Sequence, residues 1–293
     1  MTDYLLIISA NILLAVTFAL SKLYQKKAGY TAISGVSYNV QLGLYSSVIY
    51  LIANKFVIHL TAFSLIIALI QTLAVTLYTI IGFYMLHGGL IASYTMFLMS
   101  GGMIVPYLWG LLFLGEKFSV LRTVGILIIL FGVILANYRN EKQSLKYIYM
   151  GIAIFLLNGI TSVTTKVHQI ETVRPVVSSM EFVILSNILK FLLSLVVLIF
   201  FIIRVPDGKE IFKITLNKKV LWIVIIASAI GGITSYCLVR GAINLPATVL
   251  YPLNTGGTIV LTAFTGMLFF KEKPEKRTVI GIISCLIGTL CFL

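Results

Sequence analysis

Acidic residues are scarce: Asp and Glu number 9 in 293 residues, against 22 Lys and Arg, and charged residues together make up 11%. That is less than half of the roughly 25% typical of soluble domains. Histidine (3), cysteine (3), proline (6) and tryptophan (2) are few as well. Each shortage excludes something. Three scattered histidines without Cys or acidic neighbours at ligand spacing do not make a metal site. Cys237, Cys285 and Cys291 all lie inside apolar runs, where they read as small packing residues rather than a disulfide framework. No GxSxG, HExxH or phosphate-cradling glycine loop occurs, so no catalytic constellation, cofactor or nucleotide-driven step is expected. So little charge also excludes disorder and a water-soluble globular fold.

What is abundant is apolar surface. Hydrophobic residues make up 59% of the chain, and the mean hydropathy is +1.06. Long apolar runs fall at 4–21, 34–53, 62–86, 90–114, 121–138, 147–165, 177–203, 219–239, 246–270 and 277–293. A spanning helix needs about 20 apolar residues, so the expected fold is an all-α integral membrane protein of ten transmembrane helices. A transmembrane barrel would show short alternating segments instead. The first run lacks a basic flank before it and an A-x-A-like site after it, so it reads as an uncleaved span rather than a signal peptide. The longest connection, 204–218, is basic and reads as exposed.

The net charge of +13 sits between the apolar runs, where it meets lipid headgroups and sets topology; nucleic acid is excluded as a partner. The odd-numbered connections hold Lys22, Lys26, Lys27, Arg139, Lys142, Lys146, Arg204, Lys209, Lys213, Lys218, Lys219, Lys271, Lys273, Lys276 and Arg277. The even ones hold only Lys55, Lys117, Arg122, Lys166, Arg174 and Arg240. This bias puts the odd connections in the cytoplasm and both termini outside.

The second half repeats the first. GGMIV at 101–105 matches GGTIV at 256–260, and GLLFLGEK at 110–117 matches GMLFFKEK at 266–273. Gly125 and Gly132 match Gly281 and Gly288, SKLYQ at 21–25 matches TKVHQ at 165–169, and Ser93 and Ser100 match Thr248 and Thr255. The chain therefore reads as two five-span repeats, 1–138 and 139–293. Five is odd, so the repeats start on opposite sides of the membrane and are inverted, a recurrent design of secondary transporters with the substrate site near the midplane.

The run from Ala92 through FLGEKFSVLRTVGILIILFGVIL, its copy from Ala247 through FFKEKPEKRTVIGIISCLIGTL, and the polar-then-lysine pattern of Asn11 to Lys22 and Asn158 to Lys166 carry a resemblance. On these residues the chain resembles the drug/metabolite transporter superfamily, in its ten-span EamA-like branch, over nearly its whole length. The resemblance implies a ten-helix carrier of small organic solutes with cytoplasmic termini, in conflict with the charge bias. The chain departs from the pattern in places. The first and sixth spans lack the tryptophan often found in such motifs. Pro252 sits where a proline is expected, while the first half has Phe97 there and a displaced Pro106. No acidic residue lies in the first span, so the proton-coupling glutamate of the small multidrug branch has no counterpart.

Polar groups in hydrocarbon are costly unless paired or facing a cavity, which makes their helical spacing informative. Tyr38, Gln41 and Tyr45 share one face of the second span, and Asn187, Lys190 and Ser194 share one of the seventh. The third span carries Gln71 and Tyr78, the fourth Ser93, Tyr94 and Ser100, the eighth Ser228 and Ser235, and the ninth Tyr251, Thr255, Thr258 and Thr262. The fifth and tenth are almost purely apolar and should stand at the periphery. Candidate substrate-binding residues are Asn11, Gln41, Tyr78, Tyr94, Asn158, Glu181, Lys190, Tyr251 and Asn254. Against this stands the reading in which hydroxyl residues glue helices together.

Two charges lie within a span, nine residues apart and on opposite faces. Glu181 would bind a cation or carry a proton, or else sit at the interface. Lys190 would bind a carboxylate, or else be structurally paired. Lys22 and Lys166 end matching spans and either attract anions or snorkel to headgroups. His87 and His168 read as span-end loop residues, and Glu116 and Glu272 as caps of the helix that follows each. Gly101–Gly102, Gly231–Gly232 and Gly256–Gly257 fit close packing and rocking motions alike.

The expected function is a secondary-active transporter of a small organic metabolite (an amino acid, amine or drug-like solute) working by alternating access in the plasma membrane. Its partners are that solute, the lipid bilayer and a coupled proton or sodium ion, with a monomer or weak homodimer as the unit. A flippase for a lipid-linked headgroup is the nearest alternative. A membrane-embedded enzyme is the alternative from another class, and it lacks a catalytic cluster.

Overall fold

The computed structural model describes residues 2–29, 31–87, 91–137, 145–271 and 273–293, without the side chains of Thr2, Phe83, Leu86, His87, Ile91, Ala92 and Asn137. The expected repeat boundary at 138/139, the side chain of His87, and Arg139, Lys142 and Glu272 lie outside the described residues. The described residues fold into helices joined by short connections, and among them there is no strand. The eleven helices are α1 (Thr2–Ala28), α2 (Ala32–Ala53), α3 (Ala62–His87), α4 (Ile91–Phe113), α5 (Val120–Asn137), α6 (Leu145–Ile170), α7 (Ser179–Arg204), α8 (Gly208–Thr215), α9 (Lys218–Asn244), α10 (Ala247–Phe270) and α11 (Lys276–Leu290).

Seven of them are long and apolar enough to cross a membrane: α1, α3, α4, α6, α7, α9 and α10. The other three expected spans correspond to α2, α5 and α11. The sequence of α2, AISGVSYNVQLGLYSSVIYLIA, is diluted by Ser, Tyr, Asn and Gln. With 18 and 15 residues, α5 and α11 fall short of the usual length, since 1.5 Å per residue gives roughly 27 and 22 Å against a core of about 30 Å. The outer surface suits lipid: Leu127, Phe131 and Ile134 of α5 and Val196, Ile199 and Ile203 of α7 are all exposed.

Helix starts follow from local chemistry. Thr31 Oγ1 accepts the Ser34 amide at 3.2 Å and starts α2. Ser178 and Glu181 form a reciprocal capping box at the start of α7, satisfying two otherwise unpaired N–H groups. Asn217 Oδ1 accepts from Lys219 N at 3.0 Å and starts α9. The basic connection at 204–218 folds in part into α8, whose end is held by Gln41 Nε2 donating to Thr215 O at 3.2 Å.

The helices pack in matched pairs. α1 lies on α9 and α6 lies on α3; α1 lies on α10 and α6 on α4; α2 lies on α7, and α5 on α11. The α5–α11 crossing brings two backbones together at glycines on both sides. A Cβ built on Gly132 would stand 2.5 Å from Gly281 O, and one on Gly125 would stand 2.9 Å from Gly288 O. Only glycine lets the two backbones meet this way, and the register shows that they run antiparallel. α6 also packs on α9, without a comparable contact between α1 and α3.

Candidate functional site

Two adjoining, partly open chambers lie between the described helices. The first, about 220 Å³, lies between α3, α7 and α9 and is walled by Gln71, Thr72, Tyr78, Ser186, Asn187, Lys190 and Ser235 among others. The second, about 190 Å³, lies between α3, α6, α9 and α10, with Thr161, Ser162, Thr165, Tyr251 and Asn254 on its walls. Gln71, Ser235 and Val239 border both, so the two chambers adjoin across these side chains. No residue of α5 or α11 lines either one.

Most wall groups are already committed. Gln71 Nε2 donates to Thr165 Oγ1 at 2.9 Å, and Ser186 Oγ donates to Gln71 Oε1 at 3.5 Å. Asn187 Nδ2 donates to Val183 O at 2.8 Å, Ser235 Oγ to Gly231 O at 2.9 Å, and Tyr251 Oη to Ser162 O at 2.5 Å. Three groups differ. Asn254 Oδ1 is buried with no hydrogen-bond partner among the described residues. The Tyr78 hydroxyl and the Lys190 ammonium have no hydrogen bond or ion pair among the described residues, although both residues line the first chamber.

Of the nine candidates, the structure therefore brings Tyr78 and Lys190 together in one chamber and Tyr251 and Asn254 in the next. The others stand apart from both. Tyr94 packs beside Tyr78 in an apolar cluster with Met85 and Ile154. Gln41 holds the end of α8. Glu181 sits at the first turn of α7, where its carboxylate accepts Ser178 N at 2.9 Å, His59 N at 2.9 Å and meets His59 Nδ1 at 2.6 Å.

Asn11 and Asn158 act as clamps between helices. Asn11 Nδ2 donates to Leu253 O of α10 at 3.3 Å, beside Gly257; Asn158 Nδ2 donates to Leu98 O of α4 at 2.7 Å, beside Gly102. Next to the second clamp, Pro106 cannot donate to the Gly102 carbonyl four residues before it. Ser162 Oγ donates to that carbonyl at 3.3 Å instead.

Three flanking residues take roles other than those their sequence positions suggest. Lys166 neither lines a chamber nor snorkels. Its buried ammonium donates to Ala242 O at 2.8 Å and Leu245 O at 2.6 Å, closing the end of α9. Glu116 caps α10 rather than the following α5. Pro246 stands at the start of α10 with no side-chain cap, and the Glu116 carboxylate accepts from Ala247 N at 2.6 Å and Thr248 N at 2.8 Å in its place. His168 is buried rather than in a loop: it stacks on Phe182 at 3.8 Å and meets Ser64 Oγ at 2.8 Å. Lys22 lies over the Phe270 ring, 4.7 Å from its centroid.

The sequence reading places Gln71, Asn187 and Ser235 on inward stripes but not in the site, and it passes over Thr161, Ser162 and Thr165. The run TSVTTK at 161–166 was the available signal: four hydroxyls in six residues of an otherwise apolar span.

A model of the EamA-like transporter family matches residues 146–293. In Bacillus subtilis (strain 168), a protein described as the uncharacterized membrane protein YvdR is 36% identical over 70 residues, which are 24% of this chain and 65% of that relative's length. A chain of known crystal structure superposes with a TM-score of 0.74 at 15% identity, covering 99% of this chain and 97% of its own. The last likeness is one of fold.

Proposed function

The chain belongs to the EamA-like transporter family, and from that premise we propose that it is a secondary-active carrier of a small organic metabolite in the plasma membrane, working by alternating access. The observation that carries the proposal is the pair of polar chambers inside an apolar bundle, walled by α3 from the first half and α6, α7, α9 and α10 from the second. Such concave, largely preformed cavities with a few placed polar groups are what solute sites look like.

Ten spans in two inverted repeats, 1–138 and 139–293, account for the packing best. Exchanging α1 with α6, α2 with α7, α3 with α9, α4 with α10 and α5 with α11 converts the main helix pairs into one another. The same exchange carries the Gly125–Gly288 contact onto Gly281–Gly132. It also carries the Asn158 clamp at Leu98 and Gly102 onto the Asn11 clamp at Leu253 and Gly257. The contact between α6 and α9 breaks this symmetry, as a state open to one side of the membrane requires.

The test is counterflow of labelled solutes in proteoliposomes, comparing the wild type with Ser235→Phe. Ser235 borders both chambers, so the ring fills the space where they adjoin. Transport should fall at least tenfold while the variant keeps its elution profile in detergent. Undiminished counterflow through Ser235→Phe would place the route elsewhere.

A further inference from the structure

We propose that Lys190 is the anion-binding point of the cavity, so that the transported solute presents a carboxylate to its ammonium; this rests on the carrier reading above. An ammonium in the hydrocarbon zone is stable only with a partner, and an unpaired one marks a functional position. Lys190 has no partner among the described residues.

The described acids are all engaged or sited elsewhere. Asp3 accepts from Asn244 at the bundle surface, and Glu116 is spent on the start of α10. Glu171 meets Arg174 and Glu181 meets His59. Asp207, Glu210 and Glu275 stand at the starts of α8 and α11. None of them lines either chamber.

The neighbours of Lys190 point the same way. Gln71, Ser186, Asn187 and Ser235 already donate to groups of the protein. The Lys190 ammonium and the Tyr78 hydroxyl make no hydrogen bond among the described residues, and the Gln71 and Asn187 amides each donate only one of their two N–H groups. This surplus of donors calls for an acceptor, and a cation-bearing solute would meet an unneutralised charge of its own sign. A carboxylate supplies both the charge and the acceptor oxygens, and a charge-assisted hydrogen bond is the strong kind.

The experiment measures ligand-induced thermal stabilisation of the purified full chain in detergent. The probes are lactate, succinate and glutamate, set against lactamide, succinamide, choline and putrescine. Stabilisation follows mass action. At least one acid should stabilise the wild type, with the amides and amines inert. Lys190→Gln should weaken that acid by about 10- to 100-fold, the range for losing a hydrogen bond to a charged group. Tyr78→Phe should weaken it about threefold, and Lys190→Arg should restore part of the loss. Amines or amides binding as well as acids would overturn the proposal, as would no acid binding or a Lys190→Gln variant that binds acids undiminished.

The same solutes are then followed by counterflow. Movement of choline or putrescine without any acid removes this inference and keeps the carrier reading. Acids bound at Lys190 but never moved remove the carrier reading and keep the site.

Discussion

Lys166 and Lys190 are both lysines of the bundle interior, and they live in opposite surroundings. Around Lys166, at the turn between α9 and α10, the charged groups are spent within the chain: two carbonyls take its ammonium, and the Glu116 carboxylate takes the two amides across the turn. Around Lys190 the wall has uncommitted donors and an open chamber. The two ammoniums thus differ in commitment: that of Lys166 is spent on the scaffold, and that of Lys190 is left at a chamber wall. A hydrogen bond completed within the chain holds the bundle; one left for a solute gives the cavity its preference.

Substitutions can sharpen or break this contrast. The largest effect belongs to the seam between α5 and α11, where Gly132→Val should destabilise by about 3 kcal/mol, the upper range for overpacking, measured by thermal unfolding in detergent. Next comes Lys166→Met, expected to cost about 2 kcal/mol by stranding two carbonyls while solute binding stays as in the wild type; intact stability with lost binding would reverse the roles of the two lysines. Asn158→Ala should cost about 0.6 kcal/mol, the average for interhelical hydrogen bonds in membranes. Lys190→Met should leave unfolding unchanged or raise it slightly, since it removes an unpaired charge rather than a contact; a loss as large as that of Lys166→Met would mean that Lys190 is structural.

How much was legible follows the range of each interaction. The Gly125, Gly132, Gly281 and Gly288 pattern and the inward stripes of Gln71, Tyr78, Asn187 and Lys190 were readable because helical period and repetition are local properties. The capping of α7 was readable as well: Ser178 and Glu181 form an S-x-x-E signature, and it accounts for Glu181 better than a cavity role does. What was not readable depends on partners far along the chain. Glu116 has the chemistry of a cap wherever it sits, but nothing local says that its helix begins 131 residues later. His168 looks like a span-end residue until Phe182 and Ser64 fold around it. Gln41 shares a face with Tyr38 and Tyr45, yet it turns to α8, a short helix hidden in a connection that reads as plain basic loop.

The reach of Glu116 also bears on how the protein is made. The carboxylate leaves the ribosome long before the amides of Ala247 and Thr248 that it serves. Until they arrive, the early helices must keep a charged acceptor wet at the edge of the bilayer. α10 therefore docks onto a waiting receptor and completes the wall of the second chamber through Tyr251 and Asn254. A nascent chain stalled before residue 247 already carries the elements that wall the first chamber, Lys190 among them, but lacks α10, so the second chamber gains its Tyr251 and Asn254 wall only afterwards.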